Sequence, residues 1–192
     1  AGPLTSNARI VSGAIVSAWE LAISARAFSK LKATFVARDV ADPSAYSGTP
    51  LAANEEEIQA SHGAATGFSW QSVNFRHTDI TVKCDHRVVE TPFVGSLFTA
   101  QPTYGDMAEI RVTAKLYVET SDPLTLFRSD ARGDLVITLT GNTAPNACTI
   151  TCQEAVLSSC ELAKDSAGIL YYQCEWMVSS AAGKTGLIVA AR

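Results

Sequence analysis

The segment at residues 109–119 reads Glu-Ile-Arg-Val-Thr-Ala-Lys-Leu-Tyr-Val-Glu and decides the class of fold. Its apolar residues occupy every second position (Ile110, Val112, Ala114, Leu116, Val118). The residues between them are polar or amphipathic (Glu109, Arg111, Thr113, Lys115, Tyr117, Glu119). Because successive side chains of a strand point to opposite faces, this alternation predicts a strand with one dry and one wet face. At about 3.3 Å per residue it would span roughly 36 Å, which is long for a domain of this size.

Further strands are predicted on both sides of this segment. Apolar residues alternate with polar ones around Ile80–Cys84 and around Leu135–Leu139. Residues 147–157 and 169–178 indicate another pair, joined by a polar stretch, and residues 187–191 indicate a last strand. Residues 9–38 also favour strands, although a helix over residues 14–28 is the alternative because alanine-rich amphipathic sequence is ambiguous. The pattern as a whole indicates a mainly β protein with antiparallel strands.

Two segments interrupt the strands. Residues 39–68 are rich in Pro, Gly and Asn and are expected to form a long loop, which contains the run Glu55–Glu57 and a short helix near it. Ser121-Asp122-Pro123 is typical of a helix start, so residues 124–129 are predicted to form a helix of one or two turns. Short strands or turns are expected at residues 93–100 and around Pro102 and Gly105.

Composition narrows the class of function. The chain has 192 residues, of which 47% are hydrophobic and only 18% charged, with a net charge of −4. The length favours one domain spanning residues 1–192. The negative net charge argues against a groove that grips nucleic acid. The low share of charge favours a protein that hides surface in contacts between subunits, and no apolar run is long enough for a transmembrane helix.

The cysteines do not have the spacing of a metal site. Four of them lie at Cys148, Cys152, Cys160 and Cys174. On a strand, the first two sulfurs would be about 13 Å apart, too far for one zinc ion. The favoured interpretation is small buried side chains, with a cross-strand disulfide as the alternative. An odd total of five cysteines indicates folding in a reducing compartment.

No set of residues with the spacing of a catalytic centre is visible. Cys84 and His86 could form a nucleophile pair, but a packed cysteine beside an exposed histidine is the simpler interpretation. The Gly183-Lys184-Thr185 tripeptide lacks the upstream glycine and the following helix of a phosphate loop, and we interpret it as a hairpin turn. Arg132-Gly133-Asp134 is interpreted as an ordinary turn at the end of the predicted helix. We therefore expect neither an enzyme nor a bound cofactor.

The order of these elements resembles the tail tube proteins of long-tailed bacteriophages. The resemblance covers most of the chain at the level of pattern. It comprises the early strand Val11–Trp19, a second strand at Leu31–Arg38, the long loop, the strand near Ile80, the Pro102-x-Tyr104-Gly105-Asp106 turn, the strand at 109–119, the short helix, and the closing strands.

This resemblance implies an antiparallel β-sandwich or barrel with one short flanking helix and a long loop. It implies that six copies form a ring, that rings stack into a tube, and that DNA passes through the tube without specific binding. The partners would be further copies and other tail proteins, and the location would be the virion tail, assembled in the host cytoplasm. The long loop would be an arm that contacts a neighbouring subunit, with candidate residues Asp42, Pro43, Tyr46, Glu55, Glu56 and Glu57. The wet face of the 109–119 strand would line the channel, with candidates Glu109, Arg111, Thr113, Lys115, Tyr117 and Glu119.

Two other classes remain open at this point. One is a different β-rich virion assembly protein, such as a capsid decoration protein or a tail terminator. The other is a β-sandwich module that binds a carbohydrate or a protein. Both share the expected fold, so assembly state separates them from a tube subunit.

Overall fold

The computed structural model describes residues 11–24, 27, 29–40, 67–90, 102–105, 108–118, 123–129, 131–140, 147–178 and 186–191. The described part is mainly β, with antiparallel pairing and one short helix, as the sequence predicted. Its elements in chain order are β1 (Val11–Ser12), β2 (Ile15–Ser24), β3 (Lys30–Val36), β4 (Asp39–Val40), β5 (Phe68–Trp70), β6 (Val73–Phe75), β7 (His77–Asp85), β8 (Val88–Val89), β9 (Thr103–Tyr104), β10 (Glu109–Tyr117), α1 (Pro123–Arg128), β11 (Arg132–Thr140), β12 (Ala147–Lys164), β13 (Leu170–Val178) and β14 (Leu187–Ala191).

The chain divides into two compact units, each built from three separate segments. The first unit comprises Ala1–Trp19, Ala33–Asn54 and Asp85–Ala108. The second comprises Glu20–Lys32, Glu55–Cys84 and Glu109–Arg192. Strands β2 and β3 therefore contribute residues to both units. The single-domain organisation expected from the length stays a prediction.

The first unit contains two small strand pairs. β1 pairs with β4 and β8 pairs with β9, both antiparallel. The expected turn around Pro102 and Gly105 is therefore in part a strand, because Thr103 and Tyr104 pair with β8. A Cβ atom at Gly105 would clash with the Cγ2 methyl of Val89, so a larger residue there would force the Val89 side chain to move.

The second unit is one large sheet that folds over itself. Its strands follow the order β3-β2-β7-β10-β13-β12-β11-β5-β6, with β14 also paired to β12. β5 and β13 are separated by two strands in this order, yet the Phe68 and Trp176 rings meet edge to face with centroids 5.2 Å apart. The two halves of the sheet therefore face each other in a sandwich-like arrangement, as expected. Within the described residues, the path of paired strands ends at β3 and β6, so the barrel alternative is wrong.

Aromatic side chains fill the space between the two halves of this sheet. Trp70 and Trp176 are fully buried, with ring centroids 5.9 Å apart. The Trp70 indole Nε1 donates a hydrogen bond to the carbonyl of Ala155, 3.1 Å away, which satisfies its polar group inside the core.

The strands that show alternation in sequence have the predicted faces. Along β10 the side chains alternate between outward positions and buried ones, and β7 and β11 show the same alternation. β10 ends at Tyr117, two residues earlier than predicted, and Val118 is 43% exposed instead of buried. β2 is a strand, so the helix alternative for residues 14–28 is wrong there, but its burial does not alternate and only Ile23 is fully buried.

β12 is much longer than predicted. It has 18 residues and ends at Lys164, so it includes the first part of the polar stretch that is predicted to be a connection, and residues 165–169 form the turn to β13. Its register against β11 shifts between Gly133 and Leu135, and Glu154 has a positive φ of 54° there, which is typical of a bulge. The Arg132-Gly133-Asp134 tripeptide begins β11 at this irregularity, so its interpretation as a turn is wrong.

The helix prediction is confirmed. Helix α1 begins at Pro123, which is buried, and ends at Arg128. Proline is favoured at the first helical position because its missing N–H would have no partner there. The predictions for residues 41–66, 93–100 and 183–185 lie outside the described residues, whereas Asp39–Val40, inside the expected loop, forms β4.

Candidate functional site

The outward face of β10 is the candidate site that the structure describes. Glu109, Arg111, Thr113, Lys115 and Tyr117 all point away from the core, as the alternation predicted. The sixth predicted residue of this set, Glu119, lies outside the described residues. The six candidate arm residues, Asp42, Pro43, Tyr46, Glu55, Glu56 and Glu57, also lie outside the described part of the chain.

Neighbouring strands extend this surface on both sides. β10 lies between β7 and β13, and the register places Thr113 opposite Glu175 and Lys115 opposite Gln173. β7 contributes the polar positions of its own alternation, and β2 contributes Glu20 next to it. We call this surface the polar face and define it by Glu20, Asp79, Thr81, Lys83, Glu109, Arg111, Thr113, Lys115, Gln173 and Glu175.

Ion pairs cross between the strands of the polar face. Lys83 Nζ lies 3.2 Å from Glu20 Oε2, and Lys115 Nζ lies 3.4 Å from Asp79 Oδ2. The Lys115 ammonium also lies over the Tyr171 ring, 5.7 Å from its centroid. These side chains are about half exposed, so solvent screens the pairs and each contributes little to stability.

Arg111 stands between two carboxylates. It contacts Glu109 on its own strand, and its Nη1 atom lies 3.2 Å from Oε1 of Glu175 on β13. The hydrogen bond to Glu109, more than any other cause, raises the pKa of Arg111 above its ordinary value. Arg111 is therefore charged at any physiological pH, and its guanidinium is held in place from both sides.

The charges of the polar face nearly cancel. Four carboxylates face three cations, which leaves one negative charge in excess. The surface is hydrated and carries both signs within a few ångströms, so it presents no uniform field to a large charged molecule. A shallow depression of about 320 Å³ lies on this face, lined by Glu20, Thr81, Lys83, Arg111, Thr113 and Glu175.

The sequence pattern did not predict which charged side chains of the polar face form ion pairs. The alternation on β7 marked Asp79 and Lys83 as polar, but nothing in the sequence placed β7 beside β10. Glu20 and Glu175 were not singled out, because one lies in a strand without clear alternation and the other is distant along the chain. Strand order, which depends on distant pairing, is what brings these residues together.

Cys84 and His86, the alternative nucleophile pair, differ in their surroundings. Cys84 is only 2% exposed and packs in the core, while the His86 ring lies on Tyr104 with centroids 4.8 Å apart. Burial, together with a smaller effect of nearby Cys84, raises the pKa of the Cys152 thiol to about 12, so its thiolate is disfavoured. Among the described residues, no group of three or more His, Cys, Asp and Glu side chains is arranged to hold a metal ion.

Comparisons with known proteins give no identification. No family model matches the sequence, and no curated protein is similar to it. The helix α1 of the described part has six residues and cannot cross a bilayer, and no other described segment forms a membrane-spanning helix.

Proposed function

We propose that the protein is a structural subunit of a bacteriophage tail tube, which assembles into stacked, hexameric rings around a channel for DNA. The observation that carries this proposal is the polar face, a broad, hydrated and nearly neutral surface on one side of a large antiparallel sheet. A channel that DNA must pass cannot present a strongly positive wall, because cations that neutralise phosphates would hold the DNA by counterion release. A wall on which positive and negative side chains are paired would not retain DNA in this way and would still be solvated.

An exposed sheet edge supports assembly of copies. Among the described strands of the second unit, β3 stands at one end of the strand order, and its residues Lys30, Leu31 and Lys32 are all exposed. Leu31 is 69% exposed, although leucine is usually buried. A strand at the edge of a sheet presents backbone N–H and C=O groups that another chain can pair with. A head-to-tail contact of this kind that closes on itself gives a ring, and rings that repeat along an axis give a tube.

The proposal assigns the two candidate sets different roles. Glu109, Arg111, Thr113, Lys115 and Tyr117 line the channel together with the other residues of the polar face. The loop expected at about residues 39–68 acts as an arm that contacts a neighbouring subunit or ring, an assignment that comes from the resemblance alone. The location that follows is the virion tail, with assembly in the host cytoplasm, and with other tail proteins as further partners.

A binding module is the second candidate function. The depression of about 320 Å³ on the polar face favours it, because its charged and hydroxyl groups could hydrogen-bond a small polar ligand such as a sugar. Such a module would stay monomeric at high concentration, whereas a tube subunit would polymerise. Size-exclusion chromatography over a range of concentrations separates these two outcomes.

Electron microscopy of the purified protein and two variants tests the proposal. Leu31→Glu places a charge on the exposed edge, and we expect it to abolish tubes and rings while leaving the fold intact, because Leu31 supports no core. Leu31→Met keeps an apolar side chain of similar volume, and Thr113→Gln changes only the polar face, so both should still form tubes. Wild-type protein that stays monomeric at high concentration would contradict the proposal, and tubes formed equally well by Leu31→Glu would contradict the role of β3.

A further inference from the structure

Two cysteines lie directly opposite each other on neighbouring strands. In the antiparallel pair of β12 and β13, Cys160 and Cys174 are register partners, so their side chains share one face of the sheet. Directly opposed residues of an antiparallel pair have Cβ atoms about 4.5–5.5 Å apart, which overlaps the range that a disulfide tolerates with small adjustment. The two Sγ atoms are in contact at 2.9 Å.

The cysteines elsewhere on β12 have different partners. Cys148 lies opposite Leu139 of β11 and Ala191 of β14. Cys152 lies opposite Leu135 and Leu187 in the same two pairings. The register therefore selects one pair among the cysteines of β12 and β13, whereas Cys84 of β7 lies near Cys152 and both of these side chains are buried.

The two cysteines differ in solvent exposure. Cys174 is fully buried, whereas Cys160 is partly exposed near the end of the β12–β13 hairpin. Its neighbour on the same face, Leu162, is 56% exposed, so little covers this end of the sheet. A reagent that reaches the hairpin meets the Cys160 sulfur first.

We propose that Cys160 and Cys174 form a disulfide bond when the protein meets an oxidising disulfide such as glutathione disulfide. The Cys160 thiolate attacks one sulfur of the oxidant and releases one glutathione thiolate, which takes up a proton. The Cys174 thiolate then attacks the Cys160 sulfur of the mixed disulfide and releases the second glutathione. The protein pair loses two electrons and two protons, and one glutathione disulfide becomes two glutathione thiols.

This bond closes the loop of residues 160–174, which contains the tight turn between Lys164 and Leu170. Closing a loop of this length restricts the unfolded chain and stabilises the folded one. The strand pairing places the two cysteines in register without a covalent bond between their sulfurs, so the disulfide would be added to a finished fold. This inference does not depend on the function proposed above.

Peptide mapping of the intact protein tests the assignment. The reduced protein is incubated with glutathione disulfide and then unfolded in guanidinium chloride, so that the remaining thiols, including the buried ones, can be alkylated. The protein is digested with trypsin and a glutamate-specific protease without reduction. Cleavage after Glu154, Glu161, Lys164 and Glu175 separates the peptide 155–161, which contains Cys160, from 165–175, which contains Cys174. We expect these two peptides to be linked, with Cys84, Cys148 and Cys152 alkylated.

Thermal unfolding gives a second measurement on the same samples. Oxidation should raise Tm of the wild-type protein by roughly 5–10 °C, and the increase should disappear in Cys160→Ala. Cys148→Ala is the matched control on the same strand and should keep both the linked peptides and the increase in Tm. Five alkylated cysteines after oxidation, a link to any other cysteine, or a link found only between two chains would overturn the proposal.

Discussion

Strand β10 and the C-terminal end of β12 belong to the same sheet, but their core-facing side chains differ in how far they are buried. On β10 every second side chain is buried, and Leu116 is fully enclosed. On β12 beyond Leu157, Leu162 shares the core-facing side with Cys160 yet is 56% exposed. Its neighbour across the hairpin end, Leu170, is 48% exposed. Alternation therefore decides which face a side chain points to, while a facing layer of the sheet decides whether that face becomes core.

The largest expected effect is a difference between two leucines. Leu116→Ala should lower the free energy of unfolding by about 2–5 kcal/mol, because it removes buried methyl groups and leaves a cavity. Leu162→Ala should lower it by about 1 kcal/mol or less, because solvent already reaches the side chain. Urea unfolding of both variants measures the difference. Equal losses would mean that the hairpin end is covered in solution, and the contrast drawn above would be wrong.

The pH dependence of stability that comes from His77 tests how well the buried part of the sheet excludes solvent. His77 is mostly buried beside Phe68, and this burial lowers its pKa below the ordinary value near 6.5. Because the unfolded chain binds the proton more readily, protonation of His77 opposes folding. This penalty is absent above about pH 6.5, and the free energy of unfolding decreases as the pH falls below that value. The slope contributed by one group is at most about 1.4 kcal/mol per pH unit.

Urea unfolding of wild type and His77→Gln between pH 7.5 and pH 5 checks this dependence. Both proteins lose stability in acid through their carboxylates, so the difference between them isolates the histidine. Wild type should lose more than the variant over this interval. Parallel curves for the two proteins would show that His77 is solvated and that its surroundings are less covered than the rings of Phe68 and Trp176 suggest.

The smallest expected effect lies on the polar face. Asp79 and Lys115 form an ion pair across β7 and β10 with both side chains about 43% exposed. A double-mutant cycle with Asp79→Asn and Lys115→Met should give a coupling energy of about 0.2–1 kcal/mol, decreasing with added salt. A coupling near 3 kcal/mol would mean that the polar face is shielded from water, contrary to its exposure.

The sequence predicted best the strands whose burial alternates. β7, β10 and β11 were predicted well, because a core on one face imposes a period of two on the sequence. The end of β12 resembles a connection in sequence because Ser158, Ser159, Glu161 and Lys164 are polar, and the exposed Leu162 and Leu170 show that this end does not belong to the core. Arg132-Gly133-Asp134 resembles a turn because Gly-Asp favours one, but pairing with β12 overrides this local preference.

The sequence predicted the outward residues of individual strands in the candidate site, but not how those strands lie next to each other. The outward residues of β10 followed from their spacing, whereas the charges that meet them on β2, β7 and β13 depend on strand order. Pairing between distant segments reflects the packing of the whole core, which no local pattern encodes. The contact of Cys160 with Cys174 has the same origin, since it depends on the length and register of a hairpin that was predicted too short.

β12 also has a mechanical consequence. Its first half pairs with β11 and β14 and its second half with β13, so one uninterrupted backbone belongs to both halves of the folded sheet. Tension applied at the hairpin end would travel along about 60 Å of covalent chain and load the hydrogen bonds of both halves in shear, where many must break together. A sheet built this way resists stretching as a single body.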